Sequence, residues 1–201
     1  MSLPKYEKTN RKKSFQQLPK DAYVVVIKDA RKDRWPSGDE VIRIAFDIAE
    51  GDYKGFYQNQ FDGNTNEDKK WPMDAVFSLN VPNNNSQQYV WDNWHTFFAD
   101  LEDSNSGFVF DTDKEDYRSL RGKLIGGKFH IKQREWNGNI YDSVLMKWTC
   151  VADDVRNGKA GKLPADKLLD KLHGAEYGHA SPAPEEEWMK VPDGIENELP
   201  F

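Results

Sequence analysis

The sequence predicts a mainly β domain of five strands with one helix between the third and fourth strands. Three observations support this prediction. Segments rich in β-branched and aromatic residues alternate with Gly, Pro and Asn clusters, apolar residues recur at helical spacing over 90–101, and an Asn137-Gly138 pair separates the last two strand-like segments. Of the 201 residues, 37% are hydrophobic and 13% aromatic, which is enough for one folded body and argues against wholesale disorder.

The first three strands are predicted to form a meander. Ala22 to Asp33 is rich in valine and isoleucine, and Glu40 to Glu50 alternates apolar and polar residues. Between them lies a loop that contains Trp35, Pro36 and Gly38. After a Gly51-Asp52 turn, Tyr53 to Phe61 is predicted as the third strand.

The helix and the last two strands have stronger signals. One apolar helical face is formed by Val90, Trp94, Phe97, Phe98 and Leu101. Lys128 to Trp136 and Asn139 to Val151 are predicted as a hairpin, because Asn-Gly favours a two-residue turn. The order β-β-β-α-β-β is that of an OB-fold, a partly open five-stranded barrel, although other small β-rich domains share it.

The charge is unevenly distributed along four predicted segments. These are a basic leader (1–21), the OB-fold-like domain (22–155), a linker with a short helix over Pro164 to His173 (156–194), and an acidic and apolar tip (195–201). Residues 185–201 carry a net charge of −5 out of the total of −6, which leaves −1 for the rest. Because Arg118 to Trp136 is strongly basic, a polyanion-binding surface is indicated.

One face of the hairpin combines cations with aromatic rings. A two-residue turn pairs Trp136 with Asn139, Arg134 with Tyr141 and Lys132 with Ser143. Lys128 and His130 continue this face, whereas the other face is apolar and belongs to the core. Cations that follow phosphates and rings that stack on unpaired bases suit single-stranded nucleic acid. The alternative is that these are ordinary cross-strand pairs that stabilise the sheet.

The loop after the first strand strengthens the nucleic-acid hypothesis, because an OB-fold places a binding loop there. The full set of candidate contacts is Arg31, Lys32, Arg34, Trp35, Arg43, Tyr57, Lys128, His130, Lys132, Arg134, Trp136 and Tyr141.

Several other classes of function are not expected. Gly122 to Lys128 resembles a phosphate loop but lacks the following Ser or Thr, and 111–122 fails as a calcium loop because Asp116 replaces the required Gly. The single Cys150 excludes an internal disulfide and a four-cysteine zinc site. With no catalytic constellation, no enzyme, cofactor or metal is predicted. No apolar run reaches about 20 residues and no secretory signal is evident, so a cytoplasmic protein without membrane contact is expected.

The basic aromatic body, the Pro/Gly-containing linker and the sequence ENELPF together resemble the single-stranded DNA-binding proteins of bacteria and, more closely, of their phages. In the familiar bacterial tail, Asp-Asp-Asp-Ile-Pro-Phe, the residue types match Glu196, Glu198, Leu199, Pro200 and Phe201, while Asn197 departs by losing one charge.

The resemblance implies a protein that coats single-stranded DNA in the bacterial cytoplasm. If the protein is phage-encoded, this is the cytoplasm of the host bacterium. It also implies that a flexible tail recruits replication and recombination proteins, whose apolar, basic-rimmed pocket would receive Pro200 and Phe201. Two alternatives stay open: a carbohydrate-binding β-sandwich, and a phage adaptor without DNA affinity. The sequence leaves open whether the protein forms a homo-oligomer.

Overall fold

The structure, a computed structural model, describes residues 17–169. It is mainly β, with one five-stranded antiparallel sheet in the order β3-β2-β1-β4-β5. The strands are β1 (Ala22–Arg34), β2 (Glu40–Ile48), β3 (Val76–Asn80), β4 (Leu124–Trp136) and β5 (Asn139–Cys150). The α-helices are α1 (Phe56–Gly63), α2 (Gln88–Ser104) and α3 (Ala152–Arg156), and short 3-10 turns cover Met73–Ala75 and Tyr117–Leu120.

The prediction of the third strand at Tyr53 to Phe61 is wrong, because this segment is a turn followed by α1. The buried carboxylate of Asp47 on β2 accepts the backbone N–H of Tyr57 at 2.9 Å, which stabilises the first turn of the helix. Gly55, at φ 73°, takes a left-handed conformation that suits the entry to α1. The third strand is instead β3, which pairs with β2 from Val41↔Asn80 to Ala45↔Val76.

The helix and the hairpin are confirmed. On α2 the buried residues are Phe97, Phe98 and Leu101, and the Phe97 ring stacks on Phe77 of β3 with 6.0 Å between centroids. The turn residues Asn137 and Gly138 both have positive φ, 50° and 74°, as a type I′ turn requires. The predicted register of the hairpin is also present, from Trp136↔Asn139 through Lys132↔Ser143.

The sheet is not closed into a barrel. Its edge strands are β3 and β5, and over residues 17–169 no backbone ladder joins them. The sheet nevertheless carries the core, in which Phe46 makes edge contacts with Tyr57 and Phe129 at centroid distances of 5.7 and 5.8 Å. The open side between β3 and β5 is the feature that shapes the candidate site.

Residues 164–169, which we call the strap, are extended rather than helical, so the predicted helix is wrong there; 170–173 lie outside the described residues. The pairing of β1 with β4 stops at Ala22↔Lys128, which leaves the backbone of β4 beyond it without a neighbouring strand on that side. The strap fills this place: Lys167 donates its N–H to the Ile131 carbonyl, and Gln133 donates its N–H to the Lys167 carbonyl, both at 2.9 Å. Satisfying these backbone groups favours an extended strap over a helical turn.

Candidate nucleic-acid interface

A broad groove of about 1070 Å³ lies where the sheet stays open. The edge strands β3 and β5 line it, together with one face of α2, the outer part of β4 and the loop between β1 and β2. The strap adds Lys167. The groove is therefore built from elements that are distant in the sequence but adjacent at the opening of the sheet.

The groove is strongly basic although the whole chain is acidic. Among the described residues, those that line the groove include no Asp or Glu. Its cations are Arg43, Lys128, Lys132, Arg134, Lys147 and Lys167. Cations that share one concave surface reinforce one another's potential and attract a polyanion.

Aromatic rings share the groove with these cations. They belong to Trp35, Phe77, Tyr89, Phe97 and Trp148. Trp148 and Tyr89 are 44% and 58% exposed, whereas Phe97 is buried in the core. The exposed rings offer flat apolar surface beside positive charge, which is the combination that binds unpaired bases.

Trp35 is held in place on two sides. Its indole Nε1 donates a hydrogen bond to Asn80 Oδ1 at 2.8 Å. The guanidinium carbon of Arg43 lies 4.0 Å from the centroid of the Trp35 ring, a cation–π contact. Arg43 in turn donates to Ser78 Oγ at 2.7 Å and lies 3.5 Å from Asp33 Oδ2.

The tip of the hairpin extends beyond the groove but keeps the predicted face. Trp136 and Tyr141 are 62% and 53% exposed, and Tyr141 lies opposite Arg134. Since directly opposite residues share a face, these two rings and the groove cation Arg134 project from the same side of the hairpin. Arg134 therefore belongs both to the lining of the groove and to this face of the hairpin.

His130 is the buried polar group of the groove, only 4% exposed. Its Nδ1 lies 3.1 Å from the Ala165 carbonyl of the strap. Burial lowers the pKa of the imidazole, and the nearby ammonium groups of Lys147 and Lys167 act in the same direction, whereas the Ala165 carbonyl and Asp166 oppose the shift. The ring therefore favours the neutral form in the folded protein.

Replacing His130 by Gln should reduce the loss of stability on acidification. Because the folded pKa lies below the unfolded value of about 6.5, the unfolded state binds more protons as the pH falls through that value. The free energy of unfolding of the parent should therefore fall more than that of His130→Gln between pH 7.5 and 5.5, by at most about 1.4 kcal/mol per pH unit. Urea unfolding at several pH values measures this, and parallel curves for the two proteins would contradict it.

Four of the predicted contacts lie away from the groove. Tyr57 is 2% exposed and belongs to the core on α1, so its ring is inaccessible to a base. Lys32 is bound to Glu40 and Glu115 at 3.0 and 3.1 Å, which raises its pKa. Arg34 pairs with Glu40 at 3.0 Å. Arg31 lies opposite Arg43 in the register of β1 and β2 but does not line the groove.

Sequence reasoning missed several groove residues, namely Asn80, Tyr89, Lys147, Trp148 and Lys167. A β-bulge between Lys128 and Phe129 explains one of them. An unbroken register from the turn would pair Lys128 with Lys147, but the bulge places Trp148 opposite Lys128. The sequence predicts a helix over Pro164 to His173, and this prediction gives no indication that Lys167 lies beside β4. The exposed Tyr89 precedes the predicted apolar face of α2 and could have been noticed as a large ring outside the core.

No protein-family model matches the chain, and no curated protein matches it. Over residues 17–169, no group of three or more His, Cys, Asp and Glu side chains is arranged to hold a metal ion. Within the same range, none of the helices is long and apolar enough to cross a membrane.

Proposed function

We propose that the protein is a non-enzymatic single-stranded DNA-binding protein that uses the groove and the adjoining hairpin face. The observation that carries this proposal is the lining of the groove: six Lys and Arg side chains, no acidic side chain among the described residues, and exposed aromatic rings between them. An OB-fold-like arrangement, opened between β3 and β5, is part of the proposal.

The chemistry of the groove suits an unpaired strand better than a duplex. The cations neutralise phosphates along the strand, and the exposed rings of Trp148, Trp136 and Tyr141 stack on bases. In a duplex the faces of the bases are already stacked on one another, so these rings would find only base edges and backbone. Because every base has a face, binding is expected to tolerate different sequences.

The proposal includes a second role for Glu196, Glu198, Leu199, Pro200 and Phe201, which lie outside the described residues. These residues would recruit replication and recombination proteins, with the acids directing the encounter and the apolar side chains entering a pocket. The setting would be the bacterial cytoplasm, that of the host if the protein is phage-encoded.

Deleting 196–201 should separate the two roles. DNA affinity should stay the same or rise, because the deletion removes two acidic residues from a chain that binds a polyanion. Capture of purified replication or recombination proteins should be lost. Affinity for labelled oligo(dT) and co-purification with these proteins are the measurements, and weaker DNA binding after the deletion would contradict the separation.

One titration tests the DNA-binding proposal itself. Labelled oligo(dT), a duplex of the same length and the corresponding RNA are titrated at 50 and 200 mM salt, with binding followed by anisotropy. Oligo(dT) should bind more tightly than the duplex, and its affinity should fall steeply with salt. Absence of oligo(dT) binding would support an adaptor without DNA affinity. Salt-insensitive binding of neutral oligosaccharides in its place would support a carbohydrate-binding module.

A further inference from the structure

We propose that Trp35, which is partly exposed and lines the groove, is a preset stacking platform, and that Asn80 and Arg43 are the positioning residues that set it. This inference rests on the proposed DNA-binding function and assigns a role to two side chains within that site. It predicts that one base stacks on Trp35, on the side of the indole ring away from Arg43.

The backbone of the Trp35 loop is closed on itself. Trp35 donates its N–H to the Asp39 carbonyl, and Gly38 donates its N–H to the Trp35 carbonyl, both at 2.8 Å. Gly38 has φ 91°, a conformation that favours glycine and permits the tight reversal. The loop therefore presents the Trp35 side chain from a defined backbone position.

Asn80 fixes the rotation of the ring. It is the last residue of β3, paired with Val41, so its amide is attached to the sheet rather than to the loop. Its Oδ1 accepts the hydrogen bond from the indole Nε1 at 2.8 Å, which ties the edge of the ring to an edge strand of the groove. A ring held from both the loop and the sheet loses little additional freedom when a base stacks on it.

Arg43 occupies one face of the ring. Its guanidinium lies over the indole at 4.0 Å and is itself held by Ser78 Oγ at 2.7 Å and by Asp33 Oδ2 at 3.5 Å. Asp33 partly balances the charge of Arg43, so the main role assigned to Arg43 is to support the ring rather than to bind a phosphate. Planarity matters for this role, because a lysine ammonium would keep the charge but not the flat contact.

A double-mutant cycle tests the pairing of Trp35 with Asn80. Trp35→Phe keeps a ring but removes the indole N–H, and Asn80→Ala removes the acceptor. Each single variant should weaken binding to oligo(dT) about three- to tenfold, the range for loss of one hydrogen bond. The double variant should bind oligo(dT) about as tightly as the single variant with the lower affinity, because both changes remove the same contact. Trp35→Ala should reduce the affinity for oligo(dT) further, by about 5- to 150-fold, because the stacking itself is removed.

Two controls distinguish positioning from other roles. An oligonucleotide with abasic sites has phosphates but no bases to stack, so Asn80→Ala should bind it as the parent does. Arg43→Lys should weaken binding to oligo(dT), and Arg43→Gln, which removes the charge, should leave the dependence of affinity on salt unchanged. Urea unfolding of each variant verifies that the body remains folded.

The outcomes separate this inference from the proposed function. If the parent fails to bind oligo(dT), the proposed function itself fails. If the parent binds and Trp35→Ala weakens it, but Asn80→Ala and Trp35→Phe bind as tightly as the parent, the positioning role is overturned and the function stands. Additive losses in the cycle, equal losses on abasic strands, or a shallower salt dependence of Arg43→Gln would each also overturn the assigned role.

Discussion

Lys132→Glu combined with Arg134→Glu should weaken binding to oligo(dT) on the order of 100-fold at 50 mM salt and on the order of tenfold at 200 mM. Both residues line the groove and share one face of β4. Each lost phosphate contact removes about 0.7 from the slope of log affinity against log salt for a single strand, so the double variant should have a slope shallower by about 1.4. Anisotropy titrations across this salt range measure both quantities.

The matched control changes the same amount of charge elsewhere. Lys54 and Lys70 are exposed, and neither lines the groove. Lys54→Glu with Lys70→Glu therefore gives the same net charge as the groove variant, and it should bind within about twofold of the parent at 200 mM salt, where distant charges are screened. Equal losses in the two double variants would mean that overall charge, rather than the groove, governs binding.

Gly126→Ala should destabilise the fold by about 1–3 kcal/mol, the usual cost of adding an atom to a packed interior. A Cβ at Gly126 would lie 2.7 Å from Cys150 Sγ, 2.8 Å from the Cys150 carbonyl oxygen and 2.8 Å from a Val155 methyl group. The carbonyl belongs to the paired strand β5, so it can withdraw only by distorting the sheet. Urea unfolding of the parent and the variant measures the difference.

Gly63 provides the control for this substitution. It lies at the end of α1, its φ is not in the left-handed region, and an added Cβ would meet nothing within 4 Å. Gly63→Ala should therefore leave stability unchanged or raise it by up to about 1 kcal/mol. If Gly126→Ala were as stable as Gly63→Ala, the close packing of β4 on β5 and α3 would be contradicted.

Local signals in the sequence predict the hairpin and the main helix well. Asn137-Gly138 supplies the two positive φ angles that the turn requires, and the apolar spacing of α2 matches its buried face. Both signals act within a few residues of one another, so no distant contact is needed to read them.

The third strand and the strap could not be read in the same way, because contacts with distant segments decide them. Tyr53 to Phe61 has aromatic residues that fit a strand, but a buried carboxylate on β2 favours a helix there. The strap is extended because the edge of β4 offers unpaired backbone groups, a feature that its own sequence does not contain. Closure of the barrel depends on two strands that are far apart in the chain, and strand order alone does not determine it.

The candidate site was predictable only in part, because some of its residues follow from local patterns and others come together only in the fold. The alternation along β4 identifies Lys132, Arg134 and the hairpin face directly, because a two-residue turn fixes which residues of β4 and β5 pair. The cluster at Trp35 combines a loop, β2 and β3, so Asn80 carries no signal of its own in the sequence. Lys32 and Arg34 resemble the groove cations in the sequence, but the fold places them outside the groove, where both pair with Glu40.

Photochemical cross-linking tests directly whether the groove and the hairpin face bind the DNA strand. Oligo(dT) containing 4-thiothymidine is bound to the full chain and irradiated, and the adducts are located by mass spectrometry. Adducts are expected on peptides that contain Trp35, Trp148 or Trp136. Efficient binding with adducts confined to α1 or α3, neither of which lines the groove, would contradict this expectation.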